Sequence, residues 1–85
     1  MKKDFVVTPG MVLRVRRKPY YRALMFDANG THIRRLDDGE LVTVLRYVER
    51  GRAQSHIAVI ASDCSVGFLW WEREAFEASE YSLTP

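Results

Sequence analysis

The sequence predicts an all-β domain: a small antiparallel barrel of five to six short strands, with a short helix at its C-terminal end. Three observations predict it. A polar turn, Asp37-Asp38-Gly39, feeds the apolar run Leu41–Val48. A second apolar run is interrupted by Gly67 and ends in Trp70 and Trp71. Turn-forming residues recur between short apolar stretches along the chain, the spacing of β hairpins and not of helices.

Each element follows from its residues. Thr8-Pro9-Gly10 makes the first turn, because proline presets φ and glycine accepts a positive φ. Residues 11–17 then alternate, with Met11, Leu13 and Val15 on one side and Arg14 and Arg16 on the other. Val12 is the one apolar residue on the arginine side, so a half-buried strand is expected, closed by Pro19. The short apolar run 23–26 ends at Asp27-Ala28-Asn29-Gly30, whose Asn-Gly pair signals a tight turn. Residues 33–36 resume briefly before Asp37-Asp38-Gly39 turns the chain again. In Leu41–Val48, Leu41, Thr43, Leu45 and Tyr47 are expected on one face and Val42, Val44, Arg46 and Val48 on the other. Both faces are largely apolar, as in a central strand. A polar loop over 49–55 leads to His56–Ala61, and Ser62-Asp63-Cys64-Ser65 turns that strand into Val66–Trp70. Residues 72–80 are rich in Glu and Ala and predict two turns of helix, although their apolar positions form no clean stripe.

Composition bounds the class. With 85 residues, 47% of them hydrophobic, the chain supports one domain with one modest core. We divide it into an N-terminal segment (1–10), a barrel (11–71) and a C-terminal tail (72–85). The single cysteine, Cys64, has no intramolecular disulfide partner, which suggests a reducing compartment. Met1-Lys2-Lys3 resembles the start of a signal peptide, but Asp4 and Thr8-Pro9-Gly10 interrupt before an apolar stretch develops. No run approaches the ~18 apolar residues of a membrane span, so a cytoplasmic setting is expected. The formal net charge of +2 hides an asymmetry: residues 1–50 hold eleven Lys/Arg against six Asp/Glu, and 51–85 hold two against five. Such a chain can present a basic face to nucleic acid or an acidic face to a basic partner. Alternatively, the two halves can neutralise each other across the fold.

The strand residues resemble an SH3-like barrel, most closely the bacterial SH3 type. Leu13-Arg14-Val15-Arg16 is similar to that family's opening strand. The stretch Arg35-Leu36-Asp37-Asp38-Gly39-Glu40-Leu41-Val42-Thr43-Val44-Leu45 resembles its step through a diverging turn into the second strand, and Val66-Gly67-Phe68-Leu69-Trp70 its closing strand. Ala23-Leu24-Met25-Phe26-Asp27 also echoes the alanine-leucine-tyrosine opening of the eukaryotic type. The resemblance covers about residues 11–71 and implies a fold more than an activity. His56 stands where the eukaryotic domain has its ligand-gripping tryptophan, and its proline-serine-asparagine-tyrosine stretch does not follow Phe68. The proline-reading groove is therefore not carried over.

Catalytic chemistry has little support. His32 and His56 belong to no triad or metal motif. Asp37, Asp38 and Glu40 suggest a cation cradle, but Asp-Asp-Gly is first of all turn chemistry and lacks calcium-loop spacing. Cys64 has no neighbouring base in sequence. No catalytic residue, metal or cofactor is assigned.

Binding has more support. Arg16-Arg17-Lys18-Pro19-Tyr20-Tyr21-Arg22 interleaves cations with tyrosines, a pattern that suits a protein interface, RNA or single-stranded DNA, or a loop whose tyrosines fold back onto the domain. Trp70 and Trp71 are adjacent, so on a strand they point to opposite faces and only one enters the core. The other needs cover, from Phe76 or Tyr81 or from a partner. The leading expectation is a non-enzymatic interaction module that binds a protein partner through Tyr20, Tyr21 and Trp71. Its size suits an accessory protein of a phage or other mobile element, and self-association is expected of so small a barrel. The second is a nucleic-acid-binding barrel using Arg14, Arg16, Arg17, Lys18 and Arg22, with a steep salt dependence. A plasmid-type enzyme with its active site on a symmetry axis is a distant third.

Overall fold

A computed structural model describes residues 7–48 and 55–79. Among these residues seven strands form: β1 (Val12–Val15), β2 (Leu24–Phe26), β3 (His32–Arg35), β4 (Leu41–Val48), β5 (His56–Ala61), β6 (Val66–Trp70) and β7 (Phe76–Ala78), with one 3₁₀ turn at Arg73–Ala75 before the last. All pair antiparallel in a single sheet of order β3-β2-β6-β5-β4-β1-β7. The all-β expectation holds. The closed barrel does not, because among the described residues β3 and β7 remain as the edges of an open sheet.

The sheet nevertheless curls around one core. Leu13 and Val15 of β1, Met25 of β2, Val42 and Val44 of β4, Ile57 and Val59 of β5 and Leu69 of β6 belong to a single buried cluster. Residues from these five strands meet only if the sheet bends, and two register shifts help it do so: one at Met25/Phe26 against β3, the other at Val44/Arg46 against β5. The second corrects the face assignment in β4. Val44 and Arg46 would share a face in an unbroken strand. With Leu45 bulged out, Val44 is buried opposite Val59, whereas Arg46 pairs with Ala58. Tyr47 opposite Ile57 then packs against the core, although strict alternation groups it with Leu41 and Thr43.

The tail departs from its expected helix. Residues 73–75 make one 3₁₀ turn, started by Glu72, whose carboxylate accepts from the Glu74 N–H. Phe76–Ala78 then pairs with β1, Phe76 opposite Val15. The helix preference of Glu and Ala is worth only tenths of a kcal/mol per residue. Burying Ala75 and Phe76 beside an open edge of β1 outweighs it. The tail therefore supplies a seventh strand. Glu80, and residues 49–54 of the polar loop, lie outside the described residues.

Between β3 and β4, the Asp37-Asp38-Gly39 turn is positioned by charge. Gly39 has φ +86°, in the left-handed region that favours glycine. The Arg34 guanidinium donates twice to the Glu40 carboxylate, at 2.9 and 2.8 Å, and its Nη1 lies 3.2 Å from Asp63 Oδ1. Glu40 also accepts from the Asp37 N–H (3.1 Å) and the Ser62 hydroxyl (2.8 Å). Burial pushes the Glu40 pKa up, but these hydrogen bonds outweigh it and hold the carboxyl below its ordinary range. A depressed folded pKa contributes stability that is complete above the unfolded value and lost as pH falls through the folded one. Glu40→Gln should therefore lower the melting temperature near neutral pH, and the difference from the parent should shrink as pH drops below about 4. An equal difference at both ends of that titration would remove Glu40 as the source.

Candidate functional site

The expected partner-binding residues separate in the fold. Tyr20 is 60% exposed, with its hydroxyl donating to Glu74 at 3.1 Å. Desolvation first, then that hydrogen bond, raises its pKa. Tyr21 is 9% exposed and belongs to the core. Its hydroxyl donates to the Trp70 carbonyl at 2.6 Å, and its ring meets Phe76 edge-on at 5.7 Å. Burial, helped by Glu72, drives the Tyr21 pKa up. Trp71 is half-buried, stacked on Phe76 at 5.0 Å and perpendicular to Tyr47 at 6.0 Å. Tyr21 and Trp71 thus serve the fold, and of the three expected contacts only Tyr20 faces outward. Phe76 covers Trp71 from within the chain. Tyr81, the other candidate cover, lies outside the described residues.

The basic stretch does not form one patch. Arg14 Nη1 reaches the Gly39 carbonyl at 3.5 Å. Arg16 donates to Glu77 at 3.2 Å and lies 3.6 Å from Asp38. The Arg17 N–H donates to Asp38, and the backbones of Lys18 and Tyr21 bond reciprocally in a tight turn. The side chains of Arg17, Lys18 and Arg22 are exposed. The ion pairs Arg16–Glu77 and Arg34–Asp63 join the basic half of the sequence to the acidic half, so part of the asymmetry is neutralised internally. Two of the three carboxylates suggested for a cation are engaged: Glu40 by Arg34, and Asp38 by Arg17 and Arg16. Among the described residues, no three His, Cys, Asp or Glu side chains form a metal-binding group. Cys64 is exposed in the β5–β6 turn, at the opposite end of β5 from His56 and so about 20 Å away along the strand.

A different site assembles on the outer face of the sheet. Trp70, at 52%, is the exposed tryptophan. Its row crosses the sheet as Trp70–His56–Val48. The adjacent row runs Phe26–Phe68–Ala58–Arg46 across four strands. The ring of His56 stands edge-to-face against Phe68 at 5.3 Å and against Trp70 at 6.3 Å. Together with the β2–β3 turn, residues 27–30, the side chains of Phe26, Arg46, Val48, His56, Phe68 and Trp70 bound an open groove of about 710 Å³. The Asp27 carboxylate, which lines it, accepts from the N–H groups of Asn29 (2.9 Å) and Thr31 (2.8 Å) and so fixes the turn that forms one wall.

Sequence reasoning passed over this constellation, although part of its signal was present. Phe68 and Trp70 share a parity opposite to Gly67 and Leu69, and His56 is opposite to Ile57. The placement of Arg46 required the bulge.

Among the described residues, no helix is long and apolar enough to cross a membrane. No protein-family model matches the chain, and no curated protein or solved structure returned a match.

Proposed function

We propose that the chain is a small non-enzymatic interaction module that engages a segment of a protein partner through the aromatic groove of its outer face. One observation carries the reading: a half-exposed tryptophan stands with Phe26, His56 and Phe68 around an open groove on a sheet whose other face is the packed core. An exposed aromatic side chain beside half-buried ones is costly to leave in water and is a favoured anchor at protein interfaces. The scaffold is rigid where the groove needs it, since four paired strands hold the side chains. The fold-level resemblance to SH3-like domains is consistent with the strand positions of its motifs, with Leu13-Arg14-Val15 in β1, Leu41–Leu45 in β4 and Val66–Trp70 in β6. The free, exposed Cys64 fits a reducing, cytoplasmic setting.

A displayed library of random peptides, selected against the full chain, tests the reading. Selected peptides should bind the parent and lose about tenfold or more in affinity to Trp70→Ala, the loss of a central interface anchor. Tyr21→Phe should bind as the parent does. Equal binding by the Trp70→Ala variant would sink the assignment of the groove.

A further inference from the structure

We infer that the partner segment carries a carboxylate, from Asp or Glu, that pairs with Arg46 while a neighbouring apolar side chain enters the groove beside Phe68 and Trp70. The inference rests on the proposed peptide-binding role of the groove and specifies the chemistry of its ligand.

Charge complementarity carries it. Arg46 lines the groove and is exposed, and no carboxylate among the described residues pairs with it. Among the described residues, the one carboxylate lining the groove, Asp27, is held by the N–H groups of its own turn. Other charged or titratable groups on this face are His56, His32 beside Phe26 and Arg35 opposite Leu24. The described acidic side chains of the C-terminal stretch act elsewhere: Glu72 starts the 3₁₀ turn, Glu74 accepts from Tyr20 and Glu77 accepts from Arg16. A partner that brings a cation meets the exposed Arg46 guanidinium, and the Asp27 carboxylate that lines the groove is already taken up by its own turn. One that brings a carboxylate gains a charge-assisted pair, which the planar guanidinium can make bidentate.

Ring geometry favours a peptide over nucleic acid. Successive bases stack on exposed ring faces. Here His56 is near-perpendicular to both Phe68 and Trp70, at 79° and 84°, so the three rings form no single flat platform for stacked bases.

The test uses three bead-bound heptapeptide libraries that are random except at the central position, fixed as glutamate, glutamine or lysine. The parent should be retained several-fold better by the glutamate library than by the glutamine library, and least by the lysine library. Arg46→Glu, an exposed change whose melting temperature should match the parent's, should reverse the order of glutamate and lysine. Equal retention by the glutamate and glutamine libraries, or an unchanged order in Arg46→Glu, overturns the carboxylate. If Trp70→Ala still abolishes that retention, the peptide-binding groove survives. No retention by any library overturns both. Binding of a single-stranded oligonucleotide that is lost in Trp70→Ala also overturns the inference, with nucleic acid as the occupant.

Discussion

Gly67→Ala should be among the most damaging single-methyl changes in this domain. Gly67 sits on the inner face of β6, where an added Cβ would lie 2.7 Å from Met25 Cγ, 2.7 Å from the Phe26 carbonyl oxygen and 3.1 Å from Ile33 Cδ1. Its backbone is not in the left-handed region, so the requirement is for space and not for conformational freedom. The two side chains can rotate away. The carbonyl belongs to β2, which is registered on β6 through Met25–Leu69 and Phe26–Phe68, and it retreats only if those strands separate. Forced overpacking costs about 1–3 kcal/mol, and a backbone clash places this case at the upper end. For a domain of this size that corresponds to a fall in melting temperature on the order of 10–20 °C. The added substitution Met25→Ala should recover little, because it leaves the carbonyl contact and opens a cavity. Thermal unfolding that places Gly67→Ala within about 2 °C of the parent would contradict the β2–β6 packing. The same separation would pull Phe26 away from Phe68 and open the aromatic face, so loss of stability and loss of peptide binding should appear together.

What the sequence conveys about this fold depends on the range of the interaction involved. Local signals were readable. Asp37-Asp38-Gly39 and Asn29-Gly30 turn the chain where they should, and the alternation of Leu13 and Val15 with Arg14 follows a half-buried strand. Interactions across the sheet were not. The bulge at Leu45 arises where β4 is matched to β5, and it reverses the face of every later residue in the strand. That reversal turns Arg46 outward to the groove and Tyr47 inward to Trp71. The tail is a similar case: Glu and Ala favour a helix locally, but the open edge of β1 captures Phe76–Ala78 as a strand. Tyr20 and Tyr21 look equivalent in sequence, yet the reciprocal Lys18–Tyr21 backbone bonds turn one ring inward and leave the other in solvent. The candidate site suffers most from this, because a groove on a sheet face is made by registers, and registers are set between strands distant in sequence.

The adjacent tryptophans should divide cleanly between stability and binding. Trp71→Ala removes a ring stacked on Phe76 at an interplanar angle of 12° and perpendicular to Tyr47, where it closes the core against the tail. Deleting a half-buried aromatic with two ring partners should cost about 2–4 kcal/mol and lower the melting temperature by roughly 10–20 °C. It should also loosen β7, since Phe76 loses its cover next to Val15. Trp70→Ala removes a half-exposed ring whose described ring neighbour is His56. The Trp70 carbonyl, which accepts from Tyr21, is unchanged by that substitution, so stability should move by no more than about 0.5–1 kcal/mol. Iodide quenching of tryptophan fluorescence reads the same division without a ligand. Trp71→Ala, which keeps Trp70, should be quenched readily while folded, and Trp70→Ala, which keeps Trp71, should be protected until it unfolds. Peptide affinity should follow the opposite order from melting temperature, falling in Trp70→Ala and persisting in whatever fraction of Trp71→Ala remains folded. A marked loss of stability in Trp70→Ala, or quenching of equal strength in the two variants, would mean that the outer face is not the open surface on which the binding role depends.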